Sequence, residues 1–151
     1  MQIHFDPDKV AQLLQNKKAA KNWSGFRPKD NHRGLLIGTA ILFEDTGIAI
    51  PGMTLQIELR IPTMVDDCLI TLSIFQRLGS RRHRAYQLEI CPRDKLSHNG
   101  QEPIYGPHEH MPNGEVHPVR EIGVDCQNWQ GLVDCFLSRT NIDPFDLEQP
   151  C

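Results

Sequence analysis

The chain carries few of the signatures that announce a chemistry. It has no P-loop, no G-x-G-x-x-G and no G-x-S-x-G, which excludes the common phosphate cradles and the serine elbow. No H-E-x-x-H sits on a helical pattern, so the best-known zinc-hydrolase arrangement is missing too. The five cysteines (Cys68, Cys91, Cys126, Cys135, Cys151) are an odd number without a C-x-x-C pair. That argues against a disulfide framework and a zinc ribbon, and leaves small core residues as the expectation. Cys91, before Pro92, reads as an inert strand end, and Cys151 as an exposed terminal thiol. Long apolar runs are also lacking. Leu35-Leu36-Ile37 and Ile48-Ala49-Ile50 are far too short to span a bilayer. Asp6, Asp8, Lys9 and Gln12 interrupt any secretory leader, so the expectation is a cytoplasmic protein with no membrane contact.

What is present is ordinary in bulk and uneven in detail. The 151 residues are 39% hydrophobic and 23% charged, enough for one core without staples. Net charge is −3, yet residues 1–33 carry +4, residues 77–95 carry +4 and residues 121–151 carry −5. Such asymmetry either steers an anionic partner to one face or solvates loops.

Asp6-Pro7 followed by Val10, Leu13 and Leu14 predicts a capped helix running to about Lys21. Residues 22–34 read as a basic loop. In it Trp23 and Phe26 either stack on bases or anchor the loop to the core. A buried strand is expected over 35–43 and a turn at Pro51-Gly52. Leu55, Ile57, Leu59 and Ile61 then alternate with polar residues in a strand that Pro62 stops. Ile70, Leu72 and Ile74, then Tyr86, Leu88 and Ile90, repeat the alternation, with Leu78 to Arg84 as a basic hairpin tip. Trp129, Leu132, Val133, Phe136 and Leu137 form the stripe of a last helix, capped by Asn128 or Asp125 and ended at Asn141-Ile142-Asp143-Pro144. The expected fold is α+β: an antiparallel meander of four to six strands with one wet face, an N-terminal helix, and a C-terminal helix packed on the sheet. One domain, 1–151, is expected. It divides into a helix and basic loop (1–33), the sheet with its histidine loop (34–118), and a helix with an acidic tail (119–151).

Four of the seven histidines, His98, His108, His110 and His117, fall within twenty residues rich in Pro, Gly and Asn. If residues 104–111 are extended, His108 and His110 share a face and Glu109 points away. Three chemistries fit. His98, His108, His110 and His117 with a carboxylate are a candidate zinc site. Alternatively, without any cofactor, one histidine removes the proton of a ribose 2′-hydroxyl while another protonates the leaving oxygen. Arg93, Lys95 or the Arg81–Arg84 tip with Arg82 would then hold the phosphate, and Tyr105 would orient a group or donate a proton. The basic stretches accord with an RNA substrate. In the plainest case the rings merely fill loops and bond backbone carbonyls; the lone His4, His32 and His83 read as surface or loop residues.

The order Tyr86-Gln87-Leu88-Glu89-Ile90, Ser97-His98-Asn99-Gly100, Pro107-His108-Glu109-His110 and a short helix resembles small bacterial proteins of the TumE-like toxin type over about residues 84–140. The resemblance implies a site at His98, His108 and His110 and a toxin or mobile-element setting. It leaves the reaction open. The combined expectation is a conflict-system protein acting on RNA or a nucleotide phosphodiester. His108 and His110 would be acid and base, assisted by His98, and a cognate antitoxin is a possible protein partner. The rivals are a non-enzymatic inhibitor that binds protein through its basic tip or acidic tail, and a metal-dependent hydrolase.

Overall fold

The structure, a computed structural model, describes residues 4–60 and 68–150. Its elements in chain order are α1 (Pro7–Gln15), β1 (Lys18–Lys21), β2 (Arg27–Pro28), β3 (Leu35–Glu44), β4 (Ala49–Arg60), β5 (Ile70–Leu78), β6 (Arg81–Ile90), β7 (Leu96–Asn99), β8 (Pro103–Tyr105), β9 (His108–His110), β10 (Val116–Pro118) and α2 (Trp129–Thr140). The fold is α+β, as the patterning predicts. One antiparallel sheet runs β1-β3-β4-β5-β6-β9-β10 with β2 added to β3, and β7 pairs with β8 in a separate hairpin.

Alternation sets the two faces of this sheet. Leu55, Ile57 and Leu59 of β4, Ile70, Leu72 and Ile74 of β5, and Tyr86, Leu88 and Ile90 of β6 are buried on one face together with Leu132, Val133, Phe136 and Leu137 of α2 and Val10 and Leu14 of α1. The opposite face carries Thr39, Gln56, Ser73, Gln87 and His110 in one cross-strand row, and Ile37, Glu58, Thr71, Glu89 and His108 in the next. Both helices lie on the apolar side, so this polar side is the wet face of the meander.

α1 is shorter than its pattern predicts. Asp6 caps it, accepting the N–H groups of Asp8 and Lys9 at 3.1 and 3.4 Å. The helix stops at Gln15 because Lys18 turns inward. Its Nζ donates to the carbonyls of Leu13, Leu14 and Asn16 at 2.7, 2.9 and 2.5 Å, satisfying the orphan acceptors of the last turn. Residues 18–21 then pair with β3 as β1 instead of continuing the helix. Burial lowers the Lys18 pKa to about 8. At the other end of the chain, Asn128 caps α2 by accepting the Gly131 N–H at 3.0 Å, and Asn141 ends it in the left-handed conformation.

Several turns move from their expected places. The β3–β4 turn forms at Glu44–Gly47, where the Gly47 N–H donates to Glu44 O at 2.8 Å. Pro51 and Gly52 lie inside β4, and Gly52, at φ +69°, stands where a Cβ would come within 2.3 Å of Arg77 O. The β5–β6 tip shrinks to Gly79-Ser80, so Arg81, Arg82 and Arg84 are strand residues. The strand stop expected at Pro62 and the terminal thiol of Cys151 lie outside the described residues.

The aromatic loop turns out to be an anchor. Trp23 packs edge-on against Phe26 and Phe145, Phe26 meets Trp129, and Gly38 leaves the space that the Trp23 ring fills. The cysteine expectation is corrected in part. Cys68, just before β5, and Cys126, in the loop before α2, form a disulfide across 58 residues of separation. A long-range pair of this kind leaves no local spacing motif, so counting could not reveal it. Closing such a loop contributes about 4 kcal/mol in the chain-entropy picture. Cys91 and Cys135 remain thiols.

Candidate functional site

The site grows from β6 and β9. A bulge at Ala85 inserts one extra residue between the pairs Ile74–Tyr86 and Phe75–Arg84. Arg82 and Arg84 thereby come onto the same wet face as Gln87 and Glu89. β9 then pairs with β6 so that His110 stands opposite Gln87 and His108 opposite Glu89. His108 and His110 do share a face, with ring centroids 5.0 Å apart. Glu109 points the other way, into the apolar layer, as the period-two argument requires.

The β7–β8 hairpin folds over the end of this face and adds the third ring. His98 lies 6.1 Å from His108 and 5.9 Å from His110 between centroids. Gly100 permits this placement, since a Cβ there would approach His98 Nε2 to 2.9 Å. A break at Gly106, at φ +80°, separates β8 from β9 where the chain passes against the Arg93 backbone. The expected single extended piece over 104–111 is therefore two short strands.

Hydrogen bonding fixes the state of His108. Its Nδ1–H donates to Gly106 O at 3.2 Å, and its Nε2 meets Glu89 Oε2 at 3.0 Å. Both partners are acceptors when Glu89 is ionised, so the ring carries two protons. Burial opposes that charge, but the bonds to Glu89 and Gly106 outweigh it and raise the His108 pKa. The bond from His108 holds the Glu89 carboxyl below its ordinary value. The His108 side chain is only 1% exposed, so this ion pair is closed to solvent on the histidine side.

His110 has the opposite bias. Burial, then the nearby Arg84 charge and the His108 imidazolium, lower its pKa to about 4, leaving a neutral ring at pH 7. Two adjacent histidines with protonation pushed apart are the arrangement in which acid and base roles separate. Among the described residues, no group of three or more His, Cys, Asp or Glu side chains is disposed to hold a metal ion. Both His108 nitrogens are engaged, and His117 stands on the edge strand β10 with Nε2 3.1 Å from Glu115 Oε2. The four-histidine zinc set is not brought together.

The other expected residues divide. Lys95 is near enough to act on the Glu89 charge. Arg82 lies on the wet face, its guanidinium 4.0 Å from the Phe75 ring centroid and bonded to Gln56 at 3.3 Å. Arg93 donates to Glu121 O at 3.5 Å, a bond toward the loop before α2 and not to the histidine rings. Tyr105 and His117 line, with Arg120 and His98, a groove of about 730 Å³ between the hairpin and β10. Arg84, expected only as part of the basic tip, is bonded to Gln87 at 3.3 Å and is the arginine that acts on both histidines. One residue escaped the sequence reading. Glu89 is the carboxylate of His108. Its alternation with Leu88 and Ile90 put it on the wet face, but only the β6–β9 register joins it to His108.

No known protein family, curated protein or solved structure matches the chain. No helix of the described residues is long and apolar enough to cross a membrane.

Proposed function

We propose that the protein cleaves RNA by metal-independent transesterification at the histidine cluster, in the manner of a small toxin. The observation that carries this reading is the convergence of three imidazoles on one sheet face, one held charged by Glu89 and one held neutral beside Arg84. His110 accepts the proton of a ribose 2′-hydroxyl. The 2′-oxygen bonds to phosphorus, the bond to the 5′-oxygen breaks, and His98 delivers a proton to that leaving oxygen. The products are a 2′,3′-cyclic phosphate and a free 5′-hydroxyl. Arg84 stabilises the charge that builds on the phosphoryl oxygens. A bound phosphodiester also offsets the Arg84 charge felt by His110, raising its basicity toward neutrality when substrate is present.

His108 is a positioning residue in this scheme. It is buried, bonded at both nitrogens, and acts through the charge it presents to His110. The TumE-like resemblance supports the same three histidines and a cognate antitoxin as partner. A cytoplasmic place of action belongs to this reading as well. The Cys68–Cys126 bond bears on it, because disulfides persist chiefly in oxidising compartments. Thiol titration of protein taken from cells under alkylating quench tests that part.

The central test is incubation of purified protein with a fluorogenic oligoribonucleotide in excess EDTA, alongside its 2′-deoxy counterpart. Cleavage of the RNA alone, with 2′,3′-cyclic phosphate ends, is the expected result. An intact RNA substrate, or cleavage of both oligonucleotides, overturns the reading.

A further inference from the structure

The wet face holds a second feature that the three histidines do not use. After the Ala85 bulge, Phe75 pairs with Arg84 and Arg77 pairs with Arg82, all on the histidine side of the sheet. Two arginines directly opposite each other repel and weaken the hairpin. Neither Arg77, Arg82 nor Arg84 has a carboxylate within ion-pair distance among the described residues. Between them lies Phe75, a partly exposed aromatic ring on an otherwise polar surface, with the Arg82 guanidinium above it. The helices that reach β6 pack on its apolar side, opposite this face. Uncompensated positive charge beside a partly exposed aromatic ring, capped only by the movable Arg82 guanidinium, suits a flexible polyanion whose planar groups can stack.

From Arg82 the track is continuous. Arg84 bonds Gln87, and Gln87 stands opposite His110, so charge and hydrogen-bonding groups lead from the β5–β6 tip to the histidines. The stretch from Arg82 to Gln87 covers about 15 Å of strand, room for a few nucleotides of extended chain.

We infer that the β5–β6 half of the wet face binds single-stranded RNA, with a base stacked on Phe75, phosphates held by Arg77 and Arg82, and the strand leading past Arg84 to the histidine cluster. This deepens the proposed function and rests on it. Base stacking tolerates any sequence, and a duplex keeps its bases occupied, so the face selects for unpaired strands of loose sequence preference.

The test uses 2′-O-methyl oligonucleotides, which cannot undergo transesterification, in fluorescence anisotropy with the full chain. Wild-type protein should bind a single strand and not the matching duplex. F75S should weaken binding about tenfold, the effect of one stacked base. R77E/R82E should weaken it at least as much and reduce the salt slope by about 0.7 for each phosphate no longer neutralised. Melting curves of each variant confirm that it is folded, and the arginine pair keeps the test valid if F75S is not. Wild-type binding of the single strand with both folded variants binding as tightly overturns this inference while leaving RNA cleavage standing. A preference for duplex overturns it as well. Failure of the wild type both to bind and to cleave removes the inference and the proposed function together.

Discussion

Two carboxylates one strand apart, Glu89 on β6 and Glu109 on β9, occupy opposite faces of the same strand pair and meet opposite fates. Glu109 sits in the apolar layer, accepting the Tyr86 hydroxyl at 2.8 Å, with Arg139 Nε at 3.4 Å and α2 over it. Burial and the Glu109 charge push the Tyr86 hydroxyl far up, so that group stays a neutral donor at any ordinary pH. That network is made within the fold, from Tyr86 through Glu109 to Arg139, which also pairs with Glu121. Glu89 stands in the other situation. It fixes a buried imidazolium but remains 24% exposed, beside a neutral histidine whose protonation its surroundings suppress. Period-two geometry separates a carboxylate held in the apolar layer from one that opens onto the wet face.

Substitution on the two sides should separate them experimentally. The largest effect is expected from His110→Ala, which removes the proposed proton acceptor. RNA cleavage should fall by about 10²- to 10⁴-fold with little change in the melting temperature. Single-turnover assays with urea titrations on the same sample check both halves. Glu109→Ala should do the reverse. Leaving Arg139 and Tyr86 without their buried partner costs about 3 kcal/mol in urea unfolding, while activity per folded molecule stays near wild type. A Glu109 variant that is stable but inactive would undo the contrast.

The pH dependence of stability sharpens it further. His110 has a folded pKa of about 4, below its unfolded value. The unfolded chain therefore takes up a proton that the native ring refuses, and stability falls as pH drops from about 6.5 to 4. His108 has the opposite sign. Its raised pKa contributes stability that is complete below about 6.5 and lost as pH rises through the folded value. His110→Asn should abolish the acid-side fall, about 2 kcal/mol after allowing for solvent screening of a partly exposed ring. Unfolding titrations at pH 7 and pH 4.5 read the difference.

How much of this the sequence discloses depends on the range of the interaction. Alternation in β4, β5 and β6, the Asp6 and Asn128 caps and the shared face of His108 and His110 are local, and they read correctly. The hidden features are set by distant partners. β1 exists because Lys18 is drawn under the end of α1, overriding a helical pattern that runs on to Lys21. The Cys68–Cys126 bond, the β6–β9 register that joins Glu89 to His108, and the hairpin that carries His98 over the sheet are all tertiary events. Arg93 follows the same rule. Composition counts it with the basic stretch, but from the loop after β6 its side chain donates to Glu121 O.

The subtlest expected effect lies between the two faces, at Glu89→Gln. The amide is nearly the same size and keeps an acceptor for His108, so the fold should hold and KM should change little. What it removes is the counter-charge of a buried imidazolium. His108 then loses its main reason to stay protonated and becomes neutral near pH 7, so its share of the positive charge facing His110 disappears, while burial and Arg84 go on lowering the His110 pKa. Losing the His108 charge raises the His110 pKa and losing the smaller opposing pull of Glu89 lowers it, so the acidic limb of the kcat profile should move only slightly to higher pH. A structural role for Glu89 would lower stability and leave the limb where it was. A displaced limb at unchanged stability identifies the ion pair as an element that sets the protonation of His110, whereas Glu109, with the same side chain on the adjacent strand, acts instead on the buried Tyr86 hydroxyl.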